Sequence, residues 1–239
     1  MSLVLKLTNE LGCAIVAGQF PPGSVLPNEN GLSSGGGLGR GVVREAVSML
    51  QAKGLIETRP KRGSTVLPMG QWQHYDRDVQ TWMRATTPNQ TLLVELVEIR
   101  TASEPLAAGL AAGRGNPEAL AAIDRAHQRM KEALVGRDDP YDSDLAFHTA
   151  ILEASGNRFF AGLSPLIGTS LLFSFRITNA ARGDRVGDLA AHTRVAKAIL
   201  SRNVKGAERA MRALLLDVAR TIEGLGVQHI ADFAEGGHE

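Results

Sequence analysis

Residues 40–66 read RGVVREAVSMLQAKGLIETRPKRGSTV. Val43, Ala46, Val47 and Leu50 recur at helical spacing, so 40–53 is predicted as an amphipathic helix that Gly54 ends. Leu55-Ile56-Glu57-Thr58, a basic turn Arg59-Pro60-Lys61-Arg62-Gly63, and Ser64-Thr65-Val66-Leu67 then have the pattern of a β-hairpin. Towards the N-terminus, Leu3, Leu7, Leu11 and Ile15 place a first helix at roughly 3–17, closed by Gly18. Phe20-Pro21-Pro22-Gly23 is forced out of helix by its two prolines. Val25-Leu26-Pro27 is extended, and Asn28 can cap a second helix running towards Gly35. Three helices and then a hairpin is the order of a winged helix-turn-helix.

Arg40 and Arg44 are four residues apart, on one face near the start of the third of these helices. From there an arginine can pair bidentately with guanine O6 and N7. Arg59, Lys61 and Arg62 at the hairpin tip suit phosphates or a minor groove. Either feature alone reads as solvated charge; together, in this order, they point to double-stranded DNA. The charge balance agrees once it is divided. The whole chain carries 26 Lys and Arg against 25 Asp and Glu, a net of +1 that names no partner. Residues 1–67 carry seven against four, a net of +3, and residues 68–239 nineteen against twenty-one, a net of −2. A basic head on a mildly acidic body places the polyanion at the head.

Residues 68–75 read as a linker, 76–228 as the second domain, and 229–239 as a frayed tail. Apolar-periodic stretches cover 76–85, 89–112, 117–135, 140–155, 157–180, 186–202 and 204–225, with no credible strand. Asn116-Pro117-Glu118 is a helix start, and Pro105 is expected to kink or divide its helix. The expected fold is mainly α: the winged head followed by an all-α bundle. No run of about 18 apolar residues occurs, so no transmembrane helix is expected. Lys6, Asn9 and Glu10 interrupt the apolar N-terminus, which argues against a signal peptide. Cys13 is the single cysteine and has no internal partner, so a cytoplasmic location is expected.

Inside the body, Asp144 and His148 stand at i and i+4, close enough on one helical face to chelate an ion. His192 could add a third ligand from another helix. Imidazole with carboxylate suits zinc, nickel or manganese without choosing among them. An isolated pair of this kind reads more readily as a hydrogen-bonded polar pair within a bundle. Arg100 lies four residues before Glu104, so a salt bridge between them is one reading of both. His74, His127, His229 and His238 sit in unrelated contexts and are expected at the surface.

Phe20-Pro21-Pro22-Gly23, Leu26-Pro27-Asn28-Glu29, Arg40 with Val43-Arg44-Glu45-Ala46, and Gly54-Leu55-Ile56 resemble the GntR family of bacterial transcription regulators. The resemblance implies DNA contacts at Arg40 and Arg44 and a wing tip at Lys61, Arg62 and Gly63. The sequence departs from that family at Gly35-Gly36-Gly37, on the scaffold helix, and at Gly39 and Gly41, where a hydroxyl is usual. Three glycines cost a helix about 0.8–1.0 kcal/mol each relative to alanine, so fast amide exchange is expected over about 33–39.

Val97-Glu98-Ile99-Arg100 with Glu104-Pro105, the Asp144 and His148 pair, Ala154-Ser155-Gly156-Asn157, and His192 resemble the effector domain of the FadR branch of that family. Gln71-Trp72, Tyr75-Asp76-Arg77-Asp78-Val79 and Trp82 resemble its galactonate-operon repressor subgroup. The resemblance implies a homodimeric repressor of sugar-acid catabolism, released by a small carboxylate effector. It makes Asp144, His148 and His192 metal ligands, with Arg100 and, more weakly, Arg176 at the effector carboxylate. The usual third histidine position holds Leu214, which leaves a three-ligand site or a metal-free pocket. Two other readings stand beside it. One is a metal-dependent hydrolase or lyase using the Asp/His/His cluster; the other is a dimerisation protein whose head no longer binds DNA.

Overall fold

The computed structural model describes residues 2–28, 31, 38–87, 90–182 and 188–224. The Gly35–Gly37 run and the C-terminal tail lie outside the described residues. The chain divides into two compact units, Met1–Thr87 and Pro88–Glu239. Among the described residues no helix is long and apolar enough to cross a membrane.

In the first unit, α1 (Leu3–Val16) packs against α2 (Arg40–Ala52) through Leu7, Leu11 and Ile15 on one side and Val43, Ala46 and Leu50 on the other. Asn28 accepts from the Gly31 backbone N–H at 2.8 Å, the N-cap contact its side chain predicts. The hairpin pairs β1 (Ile56–Arg59) antiparallel to β2 (Gly63–Val66), with Ile56 opposite Val66 and Arg59 opposite Gly63. Val25 bridges to Thr65 and so lies along the outer side of β2.

The stretch expected as a linker is packed onto this unit. After a single 3-10 turn at Met69–Gln71, Trp72 is buried and donates through Nε1 to the Leu67 carbonyl at 3.0 Å. The next helix, α3 (Arg77–Arg84), expected to open the second domain, packs instead on α1. Its Trp82 is 2% exposed and donates to Asn9 Oδ1 at 3.0 Å. Lys53, at the C-cap of α2, pairs with Asp76 at 2.9 Å and Asp78 at 2.7 Å. The boundary therefore falls after Thr87. The helical period of 76–85 marks an apolar face but does not say which neighbour buries it.

The second unit is built, among the described residues, from α4 (Gln90–Arg114), α5 (Pro117–Leu134), α6 (Pro140–Ala154), a single turn α7 (Arg158–Ala161), α8 (Ser164–Arg182), α9 (Leu189–Leu200) and α10 (Val204–Glu223). Helix starts follow local chemistry. Asn116, Asp139, Asn157, Asp188 and Asn203 each accept a backbone N–H of the following first turn. Central α4 packs on α10, α6, α8 and α9, while α5 pairs with α6. Of the two outcomes expected at Pro105, division of α4 does not occur: the helix runs from Gln90 to Arg114 with the proline inside it. Buried residues on both sides of the proline, from Val97 to Ala112, hold it against its neighbours. Their packing outweighs the roughly 3 kcal/mol a mid-helix proline costs.

The docking of α3 can be tested at one atom. A Cβ on Gly12 would lie 2.6 Å from the Trp82 ring, too close for any side chain. Gly12→Ala should therefore lower stability by about 1–3 kcal/mol in thermal or urea unfolding, despite alanine's better helix propensity. A neutral or stabilising result would mean that Trp82 does not sit on α1.

Candidate DNA-reading face and effector site

In the first unit, Arg40 and Arg44 are exposed on α2, outside the face that buries Val43, Ala46 and Leu50. The N-cap is Gly39, no side chain caps the helix, and its first turn carries no acid. The positive end of the helix dipole therefore meets no carboxylate of its own. At the hairpin tip Lys61, Arg62 and Gly63 are exposed. Lys61 has φ 64° and Gly63 φ 79°, left-handed conformations that turn the chain within three residues. Arg59 is tied to Glu57 at 3.1 Å, which leaves Lys61 and Arg62 as the projecting cations of the tip.

In the second unit, Asp144 and His148 of α6 meet His192 of α9. Their ligand atoms all lie within 4.8 Å of one another. Asp144 Oδ1 is 3.0 Å from His192 Nε2 and 3.5 Å from His148 Nε2. The other nitrogen of each ring is already engaged. His148 Nδ1 meets Glu104 Oε2, and His192 Nδ1 meets the Asp188 carbonyl at 2.8 Å. Carboxylate and carbonyl only accept, so each Nδ1 must be the donor, and a ring that gives up its Nε2 proton, as metal binding requires, presents that lone pair inward. Three acceptors thus face one point. Asp144 Oδ1 and His192 Nε2 are buried and, beyond their 3.0 Å approach to each other, have no well-aligned hydrogen-bond partner. Four ligand atoms about 2.1 Å from a tetrahedral ion lie about 3.4 Å apart, so these separations fit a shared cation. The three residues form a possible metal site, with Glu104 and Asp188 orienting its histidines as metal-bound histidines are usually oriented.

Arg100 on α4 joins the cluster from the other side. It is 1% exposed, donates through Nε to Glu104 Oε1 at 2.6 Å, and brings Nη2 to 3.4 Å from His148 Nε2. The expected Arg100–Glu104 pair is present, yet it is also part of the site. Burial alone would raise the Glu104 carboxyl, but the charges of Arg100 and His148 and their hydrogen bonds hold it at about 2. Burial alone would lower His148; the Glu104 charge and the contacts with Asp144 and Glu104 instead raise it to about 9. Asp144 is pushed up by burial and drawn well below the usual carboxylate range by the two imidazoles.

Arg176 is exposed on α8. Leu214 is buried in the apolar core shared by α4, α5, α6, α8, α9 and α10. His127, expected at the surface, is 5% exposed; its Nε2 meets Thr193 Oγ1 at 2.9 Å and its ring packs near Phe147. His74 is half-buried against the Met69 carbonyl, while His229 and His238 lie outside the described residues. Sequence reasoning misses Glu104 as the group that binds arginine to histidine. A signal exists: a lone acid inside Ala102-Ser103-Glu104-Pro105-Leu106-Ala107-Ala108, where small and apolar neighbours foretell burial.

Comparison with known proteins agrees with both units. Residues 4–66 match the model of the bacterial regulatory proteins of the gntR family, and residues 95–217 match that of the FCD domain. The chain belongs to the GntR family. It is 30% identical to the uncharacterised HTH-type transcriptional regulator YieP of Escherichia coli, covering 90% of this chain and 93% of that one. It is 33% identical to the galactonate operon transcriptional repressor of Escherichia coli, covering 69% of this chain and 72% of that one. A solved structure, Escherichia coli McbR/YncC, shares the fold at 16% identity, with a TM-score of 0.53 over 95% of this chain and 99% of that one. The protein is thus a DNA-binding transcription regulator of the FadR type, with a winged helix-turn-helix and an FCD effector domain. The families and relatives are regulators, which sets aside the hydrolase or lyase reading.

The raised His148 basicity gives a signed pH test. Its proton stabilises the metal-free fold fully below the unfolded value of about 6.5, and that contribution is lost as pH rises through about 9. Glu104→Gln should cost about 3–5 kcal/mol at pH 6.5 in chelator-treated protein, because it strands Arg100 and His148. The gap to wild type should narrow above pH 9. A gap that stays constant from pH 6.5 to 9.5 would contradict the Glu104–His148 coupling.

Proposed function

We propose that this regulator is a homodimeric repressor of sugar-acid catabolism genes, acting in the cytoplasm and released from its operator by a small carboxylate. The observation that carries the effector class is the convergence of Asp144, His148 and His192 beside the buried Arg100. A guanidinium matches a carboxylate bidentately, and Arg100 has its Nε held by Glu104 while Nη2 faces the cluster. Asp144, His148 and His192 would hold a divalent metal ion, zinc, nickel or manganese; when bound it would supply a second positive charge for the carboxylate. The sugar-acid assignment is supported by the 33% identity to a galactonate operon repressor. Arg176 is a secondary candidate for the same ligand.

In the head, Arg40 and Arg44 would read base edges from the start of α2, and Lys61, Arg62 and Gly63 would hold the wing against the backbone or minor groove. A dimer would place two such heads on the half-sites of a palindromic operator. The effector can release DNA only through its differential affinity for the two arrangements of the heads.

Titration of the purified protein against DNA from upstream of its own gene, with and without aldonates, tests this reading. Arg40→Ala and Arg44→Ala should each weaken operator binding by about 1–3 kcal/mol and relax base preference. Lys61→Ala should weaken all sequences alike and flatten the salt dependence. D-Galactonate or a related aldonate should dissociate the wild-type complex, and Arg100→Lys, which keeps a positive charge beside Glu104 but loses the bidentate fork, should blunt that response. Unchanged affinity in both arginine variants would overturn the DNA assignment. Indifference to every aldonate would overturn the sugar-acid assignment.

A further inference from the structure

Helix α2 is fastened at the end opposite Arg40 and Arg44. Its C-cap, Lys53, brings Nζ to 2.9 Å from both carboxylate oxygens of Asp76 and 2.7 Å from Asp78 Oδ2. The Lys53 side chain is 13% exposed. A largely buried ammonium shared by two carboxylates holds its geometry more firmly than an exposed surface pair does. The Lys53 carbonyl also accepts from the Gln73 backbone N–H at 2.9 Å. Gly54, at φ 73°, lies so close to the Gln71 carbonyl that a Cβ would stand 2.5 Å from it.

The acids that hold Lys53 belong to a segment that is itself anchored. Asp76 is the N-cap of α3, and its Oδ1 accepts from the Asp78 and Val79 backbone N–H groups at 2.9 and 3.2 Å. Burial would raise the Asp76 carboxyl, but the Lys53 and backbone hydrogen bonds draw it below its usual value. Further along α3, Trp82 fills the notch at Gly12 of α1, and the Lys53 ammonium stands 5.9 Å from its ring centre. Lys53 thus joins α2 to α3 while Trp82 joins α3 to α1, and the three helices close a triangle. Helix α2 has 13 residues and is about 20 Å long. A tilt of about 3° about its Lys53 end would carry Arg40 by about 1 Å. A hydrogen bond to a base edge tolerates only a few tenths of an ångström.

We infer that Lys53 is a positioning residue for base reading: held by Asp76 and Asp78, it sets the angle at which α2 presents Arg40 and Arg44, without touching DNA itself. The inference rests on the base-reading role proposed above for those two arginines. A lysine meant for a phosphate stands exposed, whereas the charge of Lys53 is used inside the protein. Its loss should therefore cost sequence discrimination and spare the sequence-independent, salt-dependent part of binding.

Titration of the whole chain with the upstream DNA fragment and with a scrambled duplex of equal length, over a series of salt concentrations, tests this. Lys53→Met should weaken the upstream fragment about tenfold, the size of one lost bidentate base contact. Affinity for the scrambled duplex and the salt slope should stay as in wild type. Asp76→Asn keeps the cap of α3 and loses only the charge, so it carries the same test should Lys53→Met fail to fold. It too should weaken the upstream fragment, although it makes the head more positive, and Lys53→Arg should keep most of the wild-type affinity. With Arg40→Ala and Arg44→Ala already in place, Lys53→Met should cost less than about twofold, because nothing is left to position. Unchanged binding of the upstream fragment in both Lys53→Met and Asp76→Asn would overturn this inference. So would opposite effects of the two, which mark long-range charge, a shallower salt slope in Lys53→Met, which marks a phosphate contact, or a full tenfold loss in the double-arginine variant. If the double-arginine variant binds both duplexes as wild type does, the base-reading assignment falls and this inference falls with it.

Discussion

Three acceptors aimed at one buried point cannot stand without a positive charge between them. Asp144 Oδ1 and the Nε2 atoms of His148 and His192 meet at 3.0 and 3.5 Å, and both rings spend their Nδ1 protons outward, on Glu104 and the Asp188 carbonyl. Either a proton or a metal ion must supply the missing charge. The raised basicity of His148 is the proton's answer to that need. Much of the effector domain is arranged around this constraint. Glu104 has to be an acid, because it fixes the tautomer of His148. It also has to be paired with Arg100, because an acid buried at 1% exposure cannot carry its charge alone.

The same constraint bears on the core. One apolar cluster lies over α4, α5, α6, α8, α9 and α10, the other between the first half of α4, α8 and the end of α10. Arg100, Glu104, His148 and His192, each 5% exposed or less, are a connected polar group buried within this apolar domain. A bundle built only for stability would fill those positions with leucine and alanine. Helix α4 contributes to this group and to both clusters, and this explains its tolerance of Pro105. The proline follows directly on Glu104, and the buried contacts on either side of it fix the path that one missing backbone bond leaves loose.

Features that depend on local chemistry are legible in the amino-acid sequence. They include the i and i+4 spacing of Arg40 with Arg44 and of Asp144 with His148, the asparagine and aspartate caps, and the turn at Lys61. What depends on a distant partner is not. Trp82 reads as the start of a second domain, because nothing near it in sequence shows that Gly12 leaves room for its ring. His127 reads as exposed, since its partner Thr193 is on another helix. Glu104 is visible as the mate of Arg100, yet its second oxygen serves a histidine on α6, which sequence spacing within α4 does not encode.

Leu214 bears on what kind of centre this is. It stands where the family resemblance leads one to expect a further histidine, and it is 4% exposed within an apolar cluster. The polar group is therefore not extended onto α10 at that position, and the cluster offers three donors, two imidazoles and one carboxylate. Structural zinc sites close their shell with four protein ligands, whereas sites that exchange a bound molecule keep three and leave a position open. Three donors beside a buried guanidinium would leave an open position for a further ligand, which is what the proposed effector reading requires. That property is what a regulator needs from its effector domain, since a permanently saturated site would have no differential affinity to offer.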